Sequence, residues 1–401
     1  MPETGSLPQE INEQIGAVGT ADVVIGLPGL QSLEDLAWAP QIAGSGQRVL
    51  IAYPNSVQHL DSSQLAGPQF LQYEASAAGA PASFFGTFQE IFQISQHVGA
   101  KCCCVWNTSP QRLSSDVLDR MLAPALSQGF DLVFPRYADM KFSALINKSI
   151  IYPAVRALYG TRISYSMAVD LCFSAQLVER LMQLDPKTRR PRSQQWIAAE
   201  AISAGAAICE VNLPMDPPRP PESLDVSSIL SMVLGRLFLE LERNSTLWQR
   251  SNNAPPIPAF GDATRIEEED VAVDVQRMIE TFQLGYRNLR DIWNLALPPA
   301  TLLDLKKMAT LSPAAFQLPD DLWVRIVYDF AMAHRQRAIN REHLLRAMTP
   351  LYLAWVASHT LELKDASPAG VQSNQERLAL AYEKQKPYLL SRWRWPDRFN
   401  P

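Results

Sequence analysis

Histidine is scarce in this chain, with five among 401 residues. His334 and His343 lie nine apart on helical stretches, and His59 and His97 have no partner at ligand spacing, so nothing points to a histidine-built metal pair. Charge is also thin. Charged residues make up 19% against 47% hydrophobic, where an ordinary globular protein carries about 25% charged residues. That balance disfavours wholesale disorder and allows a sizeable core. The net charge of −5 offers no electrostatic grip on nucleic acid or anionic lipid. No run reaches about 18 consecutive apolar residues, so no membrane span is expected. The first residues show no basic region followed by an apolar run, so no secretory leader is expected. Neither a Gly-x-Ser-x-Gly elbow nor a Walker loop is present, which leaves no basis for a hydrolase or an NTPase.

Cysteine is the next scarcity. There are five, and Cys102, Cys103 and Cys104 are consecutive. An odd count with three adjacent thiols is not a disulfide framework, and a reducing cytoplasm is the expected location. Adjacent strand residues point to opposite faces, so these thiols converge poorly on one ion. The run Cys102 to Trp106 reads as a buried strand.

What is present is an alternation of short apolar runs and amphipathic stretches. Strands are expected at Asp22–Gly26, Arg48–Tyr53, Lys101–Trp106, Asp131–Pro135 and Glu210–Leu213. Between them, helical spacing marks Phe84–His97, a stretch behind the N-cap Ser114, Ile146–Tyr159, Gln195–Ala206 and Ser227–Trp248. The pattern predicts an α/β domain with a mainly parallel sheet. Beyond it, stripes at Val271–Trp293, Leu322–Phe330 and Leu344–Trp355 predict an all-helical region. Ser312-Pro313 looks like a helix start, and Pro350 a kink or restart. The expected plan is a tail over 1–20, an α/β domain over 21–251, a linker over 252–266 and a helical region over 267–401. In such sheets ligands sit at the carboxyl ends of strands, so the loops after Leu27, Tyr53 and Trp106 are where a site belongs.

One segment is more specific. It runs Asp131-Leu132-Val133-Phe134-Pro135-Arg136-Tyr137, then Asn147, then Tyr152-Pro153-Ala154-Val155-Arg156-Ala157-Leu158-Tyr159-Gly160-Thr161-Arg162, then Asp170-Leu171-Cys172-Phe173-Ser174. With Leu322–Phe330 and Leu344–Tyr352 of the helical region, it resembles the glycosyltransferases that make glucosyl-3-phosphoglycerate and mannosylglycerate. The resemblance implies a GT-A fold, Rossmann-like with a mainly parallel sheet. It also implies retaining transfer from a nucleotide-sugar to glycerate or 3-phosphoglycerate, usually with Mg²⁺ or Mn²⁺. A divalent ion neutralises the leaving diphosphate, and hard oxygen ligands suit it.

The family's metal ligands are missing here. Its Asp-x-Asp falls on Cys102 to Val105, and no carboxylate stands between Glu90 and Asp116. The loop Pro214 to Glu222 has no histidine, and Asp216 is the one substitute ligand it offers. No metal-ligating residue is therefore assigned. Other donor features have drifted too, with Pro28-Gly29-Leu30-Gln31-Ser32, Tyr53-Pro54-Asn55 and Gly79-Ala80-Pro81-Ala82 where the family has its own motifs.

What the resemblance implies of a site is Leu27, Pro28, Tyr53 and Asn107 on the donor side. On the acceptor side it implies Arg136, Asn147, Arg156, Tyr159 and Arg162. Asp170 falls where the family has its acidic residue near the reacting sugar. That residue is either an electrostatic partner of an oxocarbenium-like centre, an acceptor-site group, or a turn Asp capping the next helix. The arginines can grip a carboxylate or phosphate, or form surface ion pairs. Two functions remain open. One is a transferase that uses Arg136, Lys141 or Arg219 in place of metal. The other is a non-catalytic relative acting as a binding or regulatory subunit. The partners expected are a nucleotide-sugar and a small acidic acceptor, with no nucleic acid, and the helical region would allow a homodimer. Trp393-Arg394-Trp395 is expected to be a hydrophobic latch.

Overall fold

The computed structural model describes residues 19–57, 67–74, 84–138, 141–184, 194–218, 223–251, 254–263 and 273–396. Outside them lie nearly all of the expected tail, His59, the Gly79–Ala82 stretch, Arg219, Val271 and both ends of the expected linker. The described chain packs as two compact units interleaved along the sequence. The first gathers residues 1–138, 165–215 and 257–264, and the second 139–164, 216–256 and 265–401.

The first unit is an eight-stranded sheet. Its strands are β1 (Val23–Gly26), β2 (Val49–Pro54), β3 (Gln69–Tyr73), β4 (Cys102–Val105), β5 (Leu132–Arg136), β6 (Leu171–Ser174), β7 (Ile208–Asn212) and β8 (Ala259–Phe260). Their order is β3-β2-β1-β4-β6-β5-β7-β8. Every pairing is parallel except the two made by β6. The mainly parallel α/β sheet expected from the sequence is thus present. β1, β2 and β4 are buried along their whole length, which is why they read as apolar runs rather than as alternation, and β7 is buried throughout although it carries Glu210 and Asn212.

Three strands escape a sequence reading for separate reasons. β3 is an edge strand with an exposed first residue and two glutamines. β8 has only two residues. β6 is short and runs against its neighbours, pairing Cys104 with Cys172 and Val133 with Cys172. That reversal puts the start of β6, rather than its end, at the carboxyl edge of the sheet.

The unit's helices are α1 (Phe84–His97), α2 (Ser115–Ser127), α4 (Ala175–Gln183) and α5 (Gln194–Ser203). The N-cap expected at Ser114 is there, its hydroxyl accepting from the Val117 N–H at 3.2 Å. α1 drives Ile91 against β1 so closely that a Cβ on Gly26 would lie 2.4 Å from Ile91 Cδ1.

The second unit is helical. In chain order it holds α3 (Tyr152–Tyr159), α6 (Val226–Arg243), α7 (Ser245–Trp248), α8 (Val275–Asn288), α9 (Arg290–Ala296), α10 (Pro299–Met308), α11 (Asp320–Gln336), α12 (Arg341–Ala347), α13 (Thr349–Leu363) and α14 (Pro368–Arg394). The helix expected over 146–159 instead opens as a π-turn, Asn147–Ile151. Pro153 explains it. Proline has no N–H to give the carbonyl four residues back. That carbonyl, on Ser149, accepts from Trp323 Nε1 at 3.0 Å and from the Tyr382 hydroxyl at 2.9 Å.

Ser312-Pro313 starts only a single 3-10 turn, Pro313–Ala315, not the expected helix. Pro319 disfavours helical geometry at Leu318 and ends the attempt. Pro350 does mark a restart, since it sits in the first turn of α13. The latch is half realised. Trp393 is buried edge-to-face against Trp248 at 5.0 Å, while Trp395 is exposed. No helix among the described residues is long and apolar enough to cross a membrane.

Candidate functional site

The carboxyl edge of the sheet is organised by one carboxylate. Asp170 immediately precedes β6, so the reversed direction of that strand delivers it to the loops that leave β4 and β5. Its Oδ1 accepts the backbone N–H groups of Asn107 at 2.8 Å and Thr108 at 2.9 Å. Its Oδ2 accepts the Thr108 hydroxyl at 2.9 Å and the Tyr137 hydroxyl at 3.0 Å. An ionised carboxylate offers about four acceptor positions, and all four are taken. The residue is 0% exposed. Burial lifts the Asp170 carboxyl above its ordinary value, and the donated hydrogen bonds oppose that lift. Tyr137 is itself buried, its hydroxyl held far up by burial and by the neighbouring carboxylate, and it packs edge-to-face on Tyr165 at 5.1 Å.

A second carboxylate ties the loop after β1 to the loop after β4. Asp35 accepts from Gln111 Nε2 at 2.7 Å and from the Ser32 N–H at 3.2 Å, and the Gln111 bond holds its carboxyl below the usual range. The two loops also touch at Gly29, where a Cβ would meet the Asn107 carbonyl oxygen at 3.0 Å. In doubly wound sheets the ligand crevice opens where the strand order reverses, here between β1 and β4. Those loops lie in direct contact. Leu27, Leu30, Leu36, Tyr53 and Trp106 are packed beneath them in one buried cluster.

The expected site residues divide accordingly. On the donor side, Leu27 and Tyr53 are core residues at 0% exposure, and Pro28 and Asn107 are half-buried. Asn107 and Asp170 are brought together, as a loop and its brace. Arg136 ends β5 and is exposed.

The other four acceptor-side residues belong to the helical unit, where each has an internal partner. Asn147 Nδ2 donates to the Ser164 carbonyl at 2.8 Å, and Arg162 Nε to the Ala254 carbonyl at 2.7 Å. Tyr159 is buried with its hydroxyl 3.5 Å from the Glu240 carbonyl oxygen. Arg156 is enclosed by Glu376 and Glu383. Lys141 donates to the Lys364 carbonyl at 2.8 Å. Thr108, Asp35 and Gln111 were not picked out from the sequence, and Tyr137 was read only as part of the segment that carries the resemblance, with no site role. Their roles depend on pairings across 33 to 76 residues that no local spacing encodes.

The divalent ion implied by the resemblance does not fit these residues. Where its carboxylates would stand, Cys102, Cys103 and Cys104 are wholly inside the sheet. Asp170 has no acceptor position left, and Asp35 is engaged by its own loops. Among the described residues no group of three acidic, histidine or cysteine side chains could hold a metal.

No protein-family model matches the chain, and no curated protein matches it. Among solved structures it is similar to glucosyl-3-phosphoglycerate synthase from Mycobacterium tuberculosis in complex with UDP. That overlap has 14% identity, covers 60% of this chain and 86% of the other, and has a TM-score of 0.37. The same enzyme with Mn²⁺, UDP-glucose and phosphoglyceric acid overlaps at 14% identity, the same coverage and a TM-score of 0.38. At such scores the fold assignment rests on the sheet itself.

Proposed function

We propose that this chain is a glycosyltransferase homologue, related to the synthases of glucosyl-3-phosphoglycerate and mannosylglycerate, that no longer transfers sugar and serves as a binding or regulatory subunit. The observation that carries the proposal is Asp170. A carboxylate that stabilises a reacting sugar needs an acceptor position turned toward it, and this one spends all four on its own chain. The closed contact between the β1 and β4 loops at Gly29 points the same way. The partner would be a second copy or an active homologue, in the cytoplasm, where unpaired thiols persist.

A second reading is metal-free transfer to a small acidic acceptor. It is favoured by Arg136, exposed at the end of β5 and without an ion pair among the described residues. A guanidinium there would stabilise a leaving diphosphate as a metal otherwise does.

Calorimetry with a panel of nucleotide-sugars separates the two, run with Mg²⁺, with Mn²⁺ and with chelator. The non-catalytic reading expects no donor binding in any condition and no transfer to glycerate or 3-phosphoglycerate. Tight binding in chelator, lost in Arg136→Ala, would establish the second reading instead.

A further inference from the structure

We propose that Asp170 is a positioning residue whose two oxygens organise this edge through hydrogen bonds to its own chain. It fixes the turn after β4, and it leaves the turn indifferent to metal. This deepens the reading given above and rests on it, because it treats the carboxyl edge as the family's former donor site.

The geometry is specific. Asn107 and Thr108 follow the buried strand Cys102–Val105, in which no oxygen-bearing side chain can face an ion. Negative charge reaches this turn from another strand, about 60 residues on, because β6 enters the sheet antiparallel. Asp170 then holds the turn at two consecutive backbone N–H groups and one hydroxyl, and holds β5 through Tyr137. Three of these four bonds land on the loop that follows β4. A group that merely filled space would not need two backbone donors in a row. Because every acceptor position is used, an incoming cation would have to strip hydrogen bonds from a wholly buried carboxylate before it gained any ligand.

The test is residue-resolved amide exchange by NMR on the full chain, with thermal unfolding recorded alongside. In Asp170→Asn, Oδ1 still accepts but Nδ2 does not, and Asp170→Ala removes both acceptors. Exchange at Asn107 and Thr108 is expected to quicken by about tenfold in the Asn variant, where both amide bonds to Oδ1 remain but the Thr108 and Tyr137 hydroxyls lose the acceptor that braces the turn. It should quicken further in the Ala variant, with β1 and β2 amides unchanged. Should the Ala variant fail to fold, the Asn variant and Tyr137→Phe carry the comparison. In the unaltered protein, millimolar Mn²⁺ should neither broaden the Asn107 and Thr108 resonances nor shift Tm. Exchange at those two amides that merely follows global stability would overturn the proposal, as would selective broadening by Mn²⁺. Binding of UDP-glucose by the unaltered protein, by contrast, would sink the non-catalytic reading and leave the pinning of the turn untouched.

Discussion

Arg156 and Glu376 meet fork to fork, with Nη1 to Oε2 at 2.5 Å and Nη2 to Oε1 at 2.7 Å. Arg156 Nε goes to Glu383 at 2.8 Å. The guanidinium is wholly buried while the two carboxylates reach solvent, and the Glu376 bond holds its proton more tightly than usual. The expected carboxylate-binding arginine is therefore a fastener between α3 and α14. Replacing both Glu376 and Glu383 by Ala strands a buried cation and should cost about 3–5 kcal/mol. Chemical denaturation measures it. Unchanged stability with lost affinity for 3-phosphoglycerate would restore the acceptor role.

Gly29→Ala should destabilise the first unit by about 1–3 kcal/mol, the usual range for overpacking. The new methyl would press on the Asn107 carbonyl oxygen at 3.0 Å, and backbone yields less than a side-chain tip. Thermal unfolding provides the check. A neutral result would mean that the β1 and β4 loops can part, reopening the crevice between them.

His334 and His359 are both buried, and burial pulls each imidazole down to about 4. The folded state therefore binds fewer protons than the unfolded one between about pH 4 and pH 6.5. Stability from these groups is present above that window and is lost as pH falls through it, by up to about 3 kcal/mol each. Asp329 acts oppositely. Burial raises it to about 7 despite Arg392 beside it, so its contribution falls as pH rises toward neutrality. A melting curve would blur the two, whereas ring-proton NMR would not. The His334 and His359 rings should show no titration between pH 5 and pH 8, and a midpoint near 6.5 for either would refute their burial as neutral rings.

Much of the fold was legible because burial on both faces writes itself into composition. Cys102 to Val105 looks like a core strand and is one. Ser114 announces a helix start, and Pro350 a restart. The direction of β6 was not legible, since four residues from Leu171 carry no sign of which way they run. With that direction went the role of Asp170, whose partners are fixed by the fold and not by spacing. The π-turn at Asn147–Ile151 was hidden for a similar reason. Pro153 announces a missing donor, but nothing local says that Trp323 and Tyr382 supply the replacements.

All five cysteines lie in the sheet unit and all are buried. Burial raises the thiols of Cys103, Cys172 and Cys209, so thiolate is rare even where a reagent could reach it. A native molecule is thus mute to alkylating reagents until the sheet opens. Because the helical unit contains no thiol, the rate at which label accumulates times the opening of one half of the molecule alone. Mass spectrometry can count the labels added, giving this protein a stopwatch for local unfolding that needs no engineered probe.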